Sequence, residues 1–583
     1  MNSLESEKIL KNWKILHFDL KGGELSQEFW DPAGRYPGGR GFTSRWLLEH
    51  LPPDCDPLGP ENSLVLATGF LGGSGVSSST RLSVGGKSPL TGGIKESNTG
   101  GKAGAALVQL GIRSIIISGE REKLSLVIIS KEGCQVHPCP ALAGRDIYDT
   151  TAILRETYGK GVAVMVIGPA GEMKLSAASI GVSDNDGIPA RHAARGGLAA
   201  VMGAKNIKAV VINPAGSDPP PPHNPRHLRE AKHRFNKALL ENKTTGQILP
   251  QYGTAVIVNI INSIAGLPTR NYSQGVFEGA EKISGESLHD LIVERKGKPT
   301  HACLPGCVIR CSNIVPAQEG GELNRALEYE TITLLGSNLG IDDLDLINQL
   351  NKRCDEIGVD TIDVGAAIGV AMEAGLADFG DAKAALGWLD EIEQGTEFGR
   401  LLGSGAQATG ENLGVKRIPT VKRQAMAAYD PRALKGTGVT YATSPMGADH
   451  TAGNALPNTR LPNGTTPDTT NKEAQVALSS YLQQLAMILD TLGLCWFTRP
   501  PLLENFSLVT DLIEAMYGID VSLEELFEMA QETLHCEHLF NQRAGLRGKN
   551  DLPSFFRNEP LDPVGHVFDV DQEELNNLEW MGE

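Results

Sequence analysis

The chain changes texture once. In its first third, apolar residues gather in short runs at 63–66, 81–84, 114–118, 125–129, 163–167 and 209–212, separated by turn signals such as Pro37-Gly38-Gly39 and Leu71-Gly72-Gly73. Runs of that length bounded by glycine read as strands. The pattern predicts sheet with few helices, in which glycines let the backbone approach a ligand. The stretch Ser217-Asp218-Pro219-Pro220-Pro221-Pro222 then interrupts the pattern with a stiff segment poor in backbone donors. Beyond it the period is helical. Leu228, Ala231, Phe235, Leu239 and Leu240 follow helical spacing. Asp343 stands as a cap before Leu344, Ile347, Leu350 and Cys354, with Gly358 as the stop. Residues 366–377, 382–394, 472–489, 508–516 and 523–530 continue in the same manner. The expected architecture is α+β: a β-rich domain over 1–215, then two mainly α-helical domains over 216–420 and 421–583.

Length agrees with this division, since 583 residues at about 150 per domain give three or four domains. No short internal repeat is visible. One pair stands out: Asp355-Glu356-Ile357-Gly358-Val359-Asp360 and Asp490-Thr491-Leu492-Gly493-Leu494-Cys495 share the form Asp-x-x-Gly-aliphatic-Asp/Cys after a helix. Taken alone, each is an ordinary helix end.

A formal charge of -17 argues against a nucleic-acid partner, which needs a dominant positive field. Residues 1–20 mix Glu, Lys and Asp without an apolar core, and no run of about 18 apolar residues occurs anywhere. The expectation is a cytoplasmic protein without a membrane span.

Cysteine placement adds chemistry. Nine cysteines, an odd number in a long chain, are not a disulfide framework. Cys55, Cys134, Cys139, Cys354 and Cys536 lack ligand spacing and read as mostly buried thiols. Cys303, Cys307 and Cys311 instead lie within nine residues, and Cys495 follows in a helix-end motif. A short run of soft thiolates closed by one remote cysteine is how chains hold a cubane iron-sulfur cluster. Gly86-Lys87-Ser88 is not a phosphate loop, because Arg81 stands where its first glycine belongs, and neither Gly100-Gly101-Lys102-Ala103-Gly104 nor Gly196-Gly197-Leu198 completes a dinucleotide fingerprint.

Several stretches read together resemble the aldehyde:ferredoxin oxidoreductase family, enzymes that use tungsten or molybdenum in a bis-pterin cofactor. They are Gly38-Gly39-Arg40-Gly41, Thr80-Arg81-Leu82-Ser83-Val84, Ser97-Asn98-Thr99-Gly100-Gly101, Ile167-Gly168-Pro169-Ala170-Gly171-Glu172, Arg195-Gly196-Gly197, Pro268-Thr269-Arg270-Asn271, the cysteine run, Glu328-Tyr329-Glu330-Thr331, Tyr429-Asp430-Pro431-Arg432 and the Asp490 motif. The resemblance implies pterin-binding roles for the N-terminal domain and for specific residues. Asp355 and Asp490 would each accept hydrogen bonds from one pterin, with Val359, Asp360 and Leu494 beside them, since an ionised carboxylate only accepts. Asn98 and Gly100, with Arg191 and His192, would meet the pterin phosphates. The backbones of Asn98 and His192 would serve a magnesium ion. Arg81 would sit between pterin and cluster. Cys303, Cys307, Cys311 and Cys495 would ligate a [4Fe-4S] cluster, and Glu330 and His450 would handle protons.

The implied activity is oxidation of aldehydes to carboxylic acids, with electrons leaving through the cluster to ferredoxin or a small iron-sulfur subunit. A reductase subunit of the class II benzoyl-CoA reductase type and a non-catalytic electron-transfer protein are the alternatives. The resemblance also implies a homodimer or a larger hetero-oligomer. Two departures from the family pattern matter. Many members space their local cysteines Cys-x2-Cys-x3-Cys, whereas three residues separate Cys303 from Cys307, with Pro305-Gly306 forming a turn that absorbs the extra one. Gln349 and Lys352 stand where some members carry a Glu-x-x-His metal site at a dimer interface.

Overall fold

The computed structural model describes residues 13–34 and 37–582. The expectation that no leader opens the chain therefore lies outside the described residues over 1–12. Among the described residues, β1 (Lys14–Asp19), β2 (Glu24–Phe29), β3 (Leu64–Thr68), β4 (Leu82–Lys87), β5 (Ile94–Thr99) and β6 (Ile112–Ser118) form one sheet in the order β2-β1-β6-β3-β4-β5. A second sheet holds β7 (Ser125–Ser130), β8 (Gly133–Pro138), β9 (Ala163–Ile167), β10 (Ile180–Val182), β11 (Arg191–Ala193) and β12 (Ile207–Ile212) in the order β8-β7-β12-β9-β10-β11.

The two orders are the same if β1 to β6 are renamed β7 to β12. The directions agree as well. An antiparallel hairpin leads each half, β1 and β7 run parallel to β6 and β12, and the remaining pairs are antiparallel. A 12-residue helix precedes the third strand of each half, Gly39–His50 and Ile147–Tyr158, and a 7-residue helix precedes the sixth, Ala103–Gln109 and Leu198–Ala204. Even the irregularities repeat. The β1/β6 and β7/β12 registers each skip one residue, Arg113 and Lys208, and both are fully buried basic side chains. The N-terminal third is thus a structural duplication with no matching repeat in sequence. Packing conserves where apolar faces lie, and many residues satisfy that demand.

The predicted strands at 63–66, 81–84, 114–118, 125–129, 163–167 and 209–212 correspond to β3, β4, β6, β7, β9 and β12. The expectation of few helices in this region is corrected by the helices of the duplication. Helix Gly39–His50 buries Arg40, Thr43 and Ser44 as well as Phe42, Trp46 and Leu47, so polar and apolar side chains mix on its buried surface and no clean amphipathic stripe marks it. Strand β5 escaped notice for a similar reason: Lys95, Glu96, Ser97 and Thr99 are buried polar residues.

Beyond the proline-rich connection the chain is mainly helical. Helix Pro225–Glu241 buries Leu228, Ala231, Phe235 and Leu239. Helix Leu344–Ile357 starts at Asp343, whose side chain accepts from the Asp345 and Leu346 amides, and stops at Gly358 in the left-handed region. Helices Ala382–Gln394 and Ser507–Tyr517 match the expected bounds, while Thr361–Glu373 begins five residues before the expected 366–377 and Gln475–Leu492 lies three residues beyond the expected 472–489. Helix Leu523–Arg543 runs well past the expected end at residue 530; Glu537, fully buried against Arg40, interrupts the apolar pattern of its second half. A three-stranded sheet, β13 (Lys298–His301), β14 (Ser312–Pro316) and β15 (Glu322–Arg325), brackets the cysteine run. One apolar core joins both large sheets to helices Leu344–Ile357 and Thr361–Glu373. No described helix is long and apolar enough to cross a membrane.

Candidate active site

The paired aspartate motifs dock at equivalent places on the two halves. Asp355 and Asp490 lie in the last turns of helices Leu344–Ile357 and Gln475–Leu492, and Gly358 and Gly493 follow with φ of 78° and 74°. Both ends are closed alike: Val359 N donates to Cys354 O at 3.0 Å and Leu494 N to Leu489 O at 2.9 Å. Each loop then docks beside one sheet. Ser179 N donates to Gly358 O at 2.8 Å and Asp360 N to Ala177 O at 2.9 Å; in the other half Arg81 N donates to Gly493 O at 3.2 Å and Cys495 N to Ser78 O at 3.0 Å. Glycine permits the approach, since a side chain at Gly168 would overlap the Ile357 carbonyl and one at Gly69 the Gly493 backbone. Asn98 and His192 are related in the same way. Each is the penultimate residue of its half's outer strand, opposite Ser83 in β4 and Gly181 in β10.

Charge at these carboxyls is finely opposed. Burial pushes Asp490 up to about 8, the Glu96 carboxyl adds to the shift, and Arg40 and Arg81 resist it. Arg40 reaches Asp490 Oδ2 at 3.4 Å while its Nε and Nη2 hold Glu537 at 2.9 Å each. Asp355 is pushed up to about 7 by burial against the pull of Lys352 and Arg191. His192 Nε2 lies 3.3 Å from Asp355 Oδ1 without the geometry of a hydrogen bond. Burial, helped by Arg191, lowers the imidazole to about 4, so at neutral pH it is uncharged and the contact is not an ion pair.

The raised Asp490 carboxyl makes a stability prediction. Its usual value is 3.8, so the folded chain holds this proton more tightly than the unfolded one. That contribution is complete below about pH 4 and is lost as pH rises through about 8. Protein made without tungsten or molybdenum and carrying Asp490→Asn is therefore expected to melt with the wild type at about pH 4.5 and above it at about pH 8.5. Paired calorimetric scans check this, and parallel melting curves at both pH values would refute the assigned strain.

The four motif cysteines converge beside Arg81. Leu304-Pro305-Gly306-Cys307 is a tight turn in which Cys307 N meets Leu304 O at 3.3 Å and Gly306 takes φ 72°, with proline and glycine at the positions such a turn prefers. This turn houses the extra residue of the spacing. Burial pushes the Cys303 thiol up to about 12, and the neighbouring Cys307 and Cys495 add to the shift. Cys311 is driven upward by burial and then by Cys303, Glu328, Cys495 and Cys307, so all four thiols share one field. Gly101 N donates to Cys303 O at 2.9 Å, which places Gly100 against the same loop. Burial opposes the charge of Arg81, but Cys495, Cys303 and Asp490 outweigh it. Its Nε bonds the Asn98 side chain and its Nη2 the Asn98 carbonyl at 3.3 Å. Arg191 donates to Ser312 Oγ at 2.8 Å and leaves its Nε free of any partner.

Glu330 and His450 also meet. Glu330 Oε2 accepts from Ala428 N at 2.8 Å, while Oε1 lies 3.5 Å from His450 Nε2 without a hydrogen bond. Tyr429 lies with its ring centroid 6.1 Å from His450, and its phenol faces Glu330 and Asn454. Arg195 links this group to the Asp355 side. It bonds Ala448 O at 2.6 Å and Ala425 O, and approaches Asp360 at 3.4 Å and Asp363 at 3.6 Å. Burial works against the Asp449 carboxylate, but Lys95, Arg195 and His450 hold it well below the ordinary range.

What these residues could hold follows from what they leave unsatisfied. Glu330 Oε1, His450 Nδ1, His192 Nε2, Arg191 Nε, Asp363 Oδ2, Thr80 Oγ1 and Tyr441 Oη are buried without a hydrogen-bond partner. Buried polar atoms normally find partners, and a large polar ligand would supply them here. The thiols carry a matching signal: burial disfavours free thiolates, and a metal that binds thiolate restores them. A cleft of about 1220 Å³ lined by Tyr481, Phe506, Phe527 and Leu578 contains none of these atoms and is separate from the site.

The fold and site define a protein with two equivalent carboxylate-bearing loops docked on a duplicated sheet and four cysteines gathered beside them. Comparison with known proteins narrows the class. The profile for "Aldehyde ferredoxin oxidoreductase, N-terminal domain" matches residues 15–214, and that for "Aldehyde ferredoxin oxidoreductase, domains 2 & 3" matches residues 230–578. The tungsten-containing aldehyde ferredoxin oxidoreductase of Pyrococcus furiosus is 33% identical over 577 residues, covering 94% of this chain and 92% of its own. Its Pyrococcus horikoshii counterpart is 34% identical over 585 residues, covering 95% and 93%. The chain belongs to the aldehyde ferredoxin oxidoreductase family and is an oxidoreductase, which sets aside the non-catalytic alternative. The fold is also that of the active-site complex BamBC of benzoyl coenzyme A reductase in complex with 1,5-dienoyl-CoA, with a TM-score of 0.80 at 20% identity over 98% of this chain and 93% of that one.

Sequence reading left three members of the site without a role. Arg40, Arg195 and Asp363 are buried partners of the motif carboxylates. Both arginines precede glycine in the chain, a flexible backbone beside a rigid charged fork, and that pairing was the available signal.

Proposed function

We propose that the chain is a tungsten-dependent enzyme that oxidises aldehydes to carboxylic acids and sends the electrons through a [4Fe-4S] cluster. The observation that carries this reading is the duplication. It sets Asp355 and Asp490, and Asn98 and His192, at equivalent positions, as two copies of one ligand require. Asp355 and Asp490 would accept from the two pterins, with Val359, Asp360 and Leu494 packed behind them. Asn98 and His192 would offer backbone to a magnesium ion, and Gly100 and Arg191 would lie beside the pterin phosphates. Cys303, Cys307, Cys311 and Cys495 would ligate the cluster.

The bound tungsten supplies the two-electron acceptor for the oxidation. The chain supplies proton handling and direction. Oxidation of an aldehyde with one water releases two electrons and leaves protons to be removed, and Glu330 with His450 would take them, since Glu330 Oε1 and His450 Nδ1 are buried without a hydrogen-bond partner. Glu330 is fixed by the Ala428 amide, so its second oxygen is aimed rather than mobile. Arg81 bonds Asn98 on one side and lies in the field of Cys303 and Cys495 on the other, which suits an electron path from pterin to cluster. Ferredoxin or a small iron-sulfur subunit would receive the electrons.

Protein purified without oxygen is expected to contain about one tungsten and about four irons per chain and to reduce viologen dye with an aldehyde. Metal analysis beside that assay is the test. Full metal content with no aldehyde oxidation would move the reading to a reductase, and iron without tungsten or molybdenum would remove the pterin assignment.

A further inference from the structure

Helix Pro225–Glu241 departs from the charge of the chain around it. Residues 225–243 hold six Lys or Arg and two Glu in a protein of formal charge -17. Three of the six are paired: Arg226 with Glu230 at 3.1 Å, Lys237 with Glu241 at 3.7 Å and Arg234 with Asp511 at 2.8 Å. Arg229, Lys232 and Lys243 make no ion pair with a described residue. Helical spacing explains the split. The buried stripe of Leu228, Ala231, Phe235 and Leu239 has Arg234 on one flank, facing helix Ser507–Tyr517, and Lys232, Asn236, Arg229 and Leu240 on the other.

That second flank lies along the cysteine loop. Asn236 Oδ1 accepts from Ser77 N at 3.1 Å, Ser77 Oγ accepts from Val308 N at 3.0 Å, and Ser78 Oγ is 3.4 Å from Cys307 Sγ. Lys232 Nζ is 3.0 Å from where a side chain at Gly75 would begin, in the same serine-rich segment. Around Cys307 the loop surfaces: Gly306 and Arg310 are exposed, and Arg310 likewise has no ion pair with a described residue. Leu240 is 54% exposed, an apolar side chain within this basic strip.

Unpaired cations beside an electron exit have a physical use. A body of charge -17 repels an acidic protein, and a local positive strip gives such a partner one favourable approach. We propose that Arg229, Lys232, Lys243 and Arg310, with Leu240, form the docking face for an acidic one-electron carrier protein that takes electrons over Cys307. This inference rests on the reading of the four cysteines as cluster ligands. Each aldehyde oxidised yields two electrons, so two such carriers are reduced in succession per turnover.

The test is steady-state aldehyde oxidation by the Arg229→Glu/Arg310→Glu holoenzyme, with an acidic [4Fe-4S] ferredoxin and with methyl viologen as alternative acceptors. The expected result is a KM for ferredoxin raised about tenfold or more, a flattened salt dependence of kcat/KM, and viologen turnover within about twofold of wild type. Unchanged ferredoxin kinetics beside intact viologen turnover would overturn the docking face while leaving the enzyme reading in place. Wild-type protein unable to reduce viologen would instead overturn the enzyme reading itself. Zero-length carbodiimide crosslinking of wild-type holoenzyme to the ferredoxin gives an answer without any variant. Bonds to Lys232 or Lys243 are expected, and bonds only to lysines elsewhere count against the face.

Discussion

Cys495→Ala protein, purified without oxygen, is expected to lose most of its iron and roughly 10³-fold of its aldehyde-to-ferredoxin turnover while retaining tungsten. Cys495 is the one motif thiol outside the local run, and it lies in the loop that also carries Asp490. Its backbone is pinned by the bond from its own N–H to Ser78 O at 3.0 Å, so the alanine backbone has no reason to move. The loss is then of the thiol alone. Cys303, Cys307 and Cys311 would remain, with burial pushing Cys303 up to about 12 and Cys311 upward as well. Three thiols, two of them resisting ionisation, compete poorly for a four-iron centre. Arg81 is affected too, because Cys495 is the largest favourable contributor to its charge. Cys139→Ala is the control, a buried thiol in a separate apolar cluster, and it is expected to keep about four irons per chain. Iron analysis and the ferredoxin assay decide together, and full iron content in the Cys495 variant would remove that residue from the ligand set.

Where sequence and structure agree, one kind of signal was at work. Helices Leu344–Ile357 and Ala382–Gln394 were legible because each pairs an apolar stripe with a capping aspartate and a left-handed glycine end. The buried strands β3, β9 and β12 were legible because both faces are apolar. The elements that line the site were not. Strand β5 and helix Gly39–His50 turn Glu96, Ser97, Arg40 and Ser44 inward, and these polar residues blur the apolar pattern until a site gives them something to meet.

The duplication shows the same limit from the other side. Asp355 and Asp490 were visible as a pair in sequence, but the equivalence of Asn98 with His192, and of Arg113 with Lys208, exists only in strand register. Register depends on partners far apart in the chain, and a one-residue skip at each bulge carries no local sequence mark. Cysteines were the easiest part, since softness and spacing are local properties. The partners that tune the carboxyls, Glu537 for Arg40 and Ala425 for Asp363, come from distant segments and become readable only once those segments pack.

Glu330→Gln is expected to lower kcat by roughly 10²- to 10⁴-fold with metal content unchanged. The amide keeps the shape and can still accept from the Ala428 N–H through one oxygen, so the loop that presents it should stay in place. What it cannot do is take a proton. Oε1 is buried, unpaired and 3.5 Å from His450 Nε2, and His450 Nδ1 is unpaired as well, so the two groups form one open proton-accepting unit. Groups that act as a unit do not add. His450→Asn should therefore cost a comparable factor, and the double variant little more than the worse of the two singles. Two independent effects would multiply. The cycle distinguishes a shared proton path from two separate packing roles, because damage to packing would lower melting temperature and tungsten content together. A Glu330→Gln enzyme within about threefold of wild-type kcat would remove the carboxylate from the proton path and leave His450 to be tested alone.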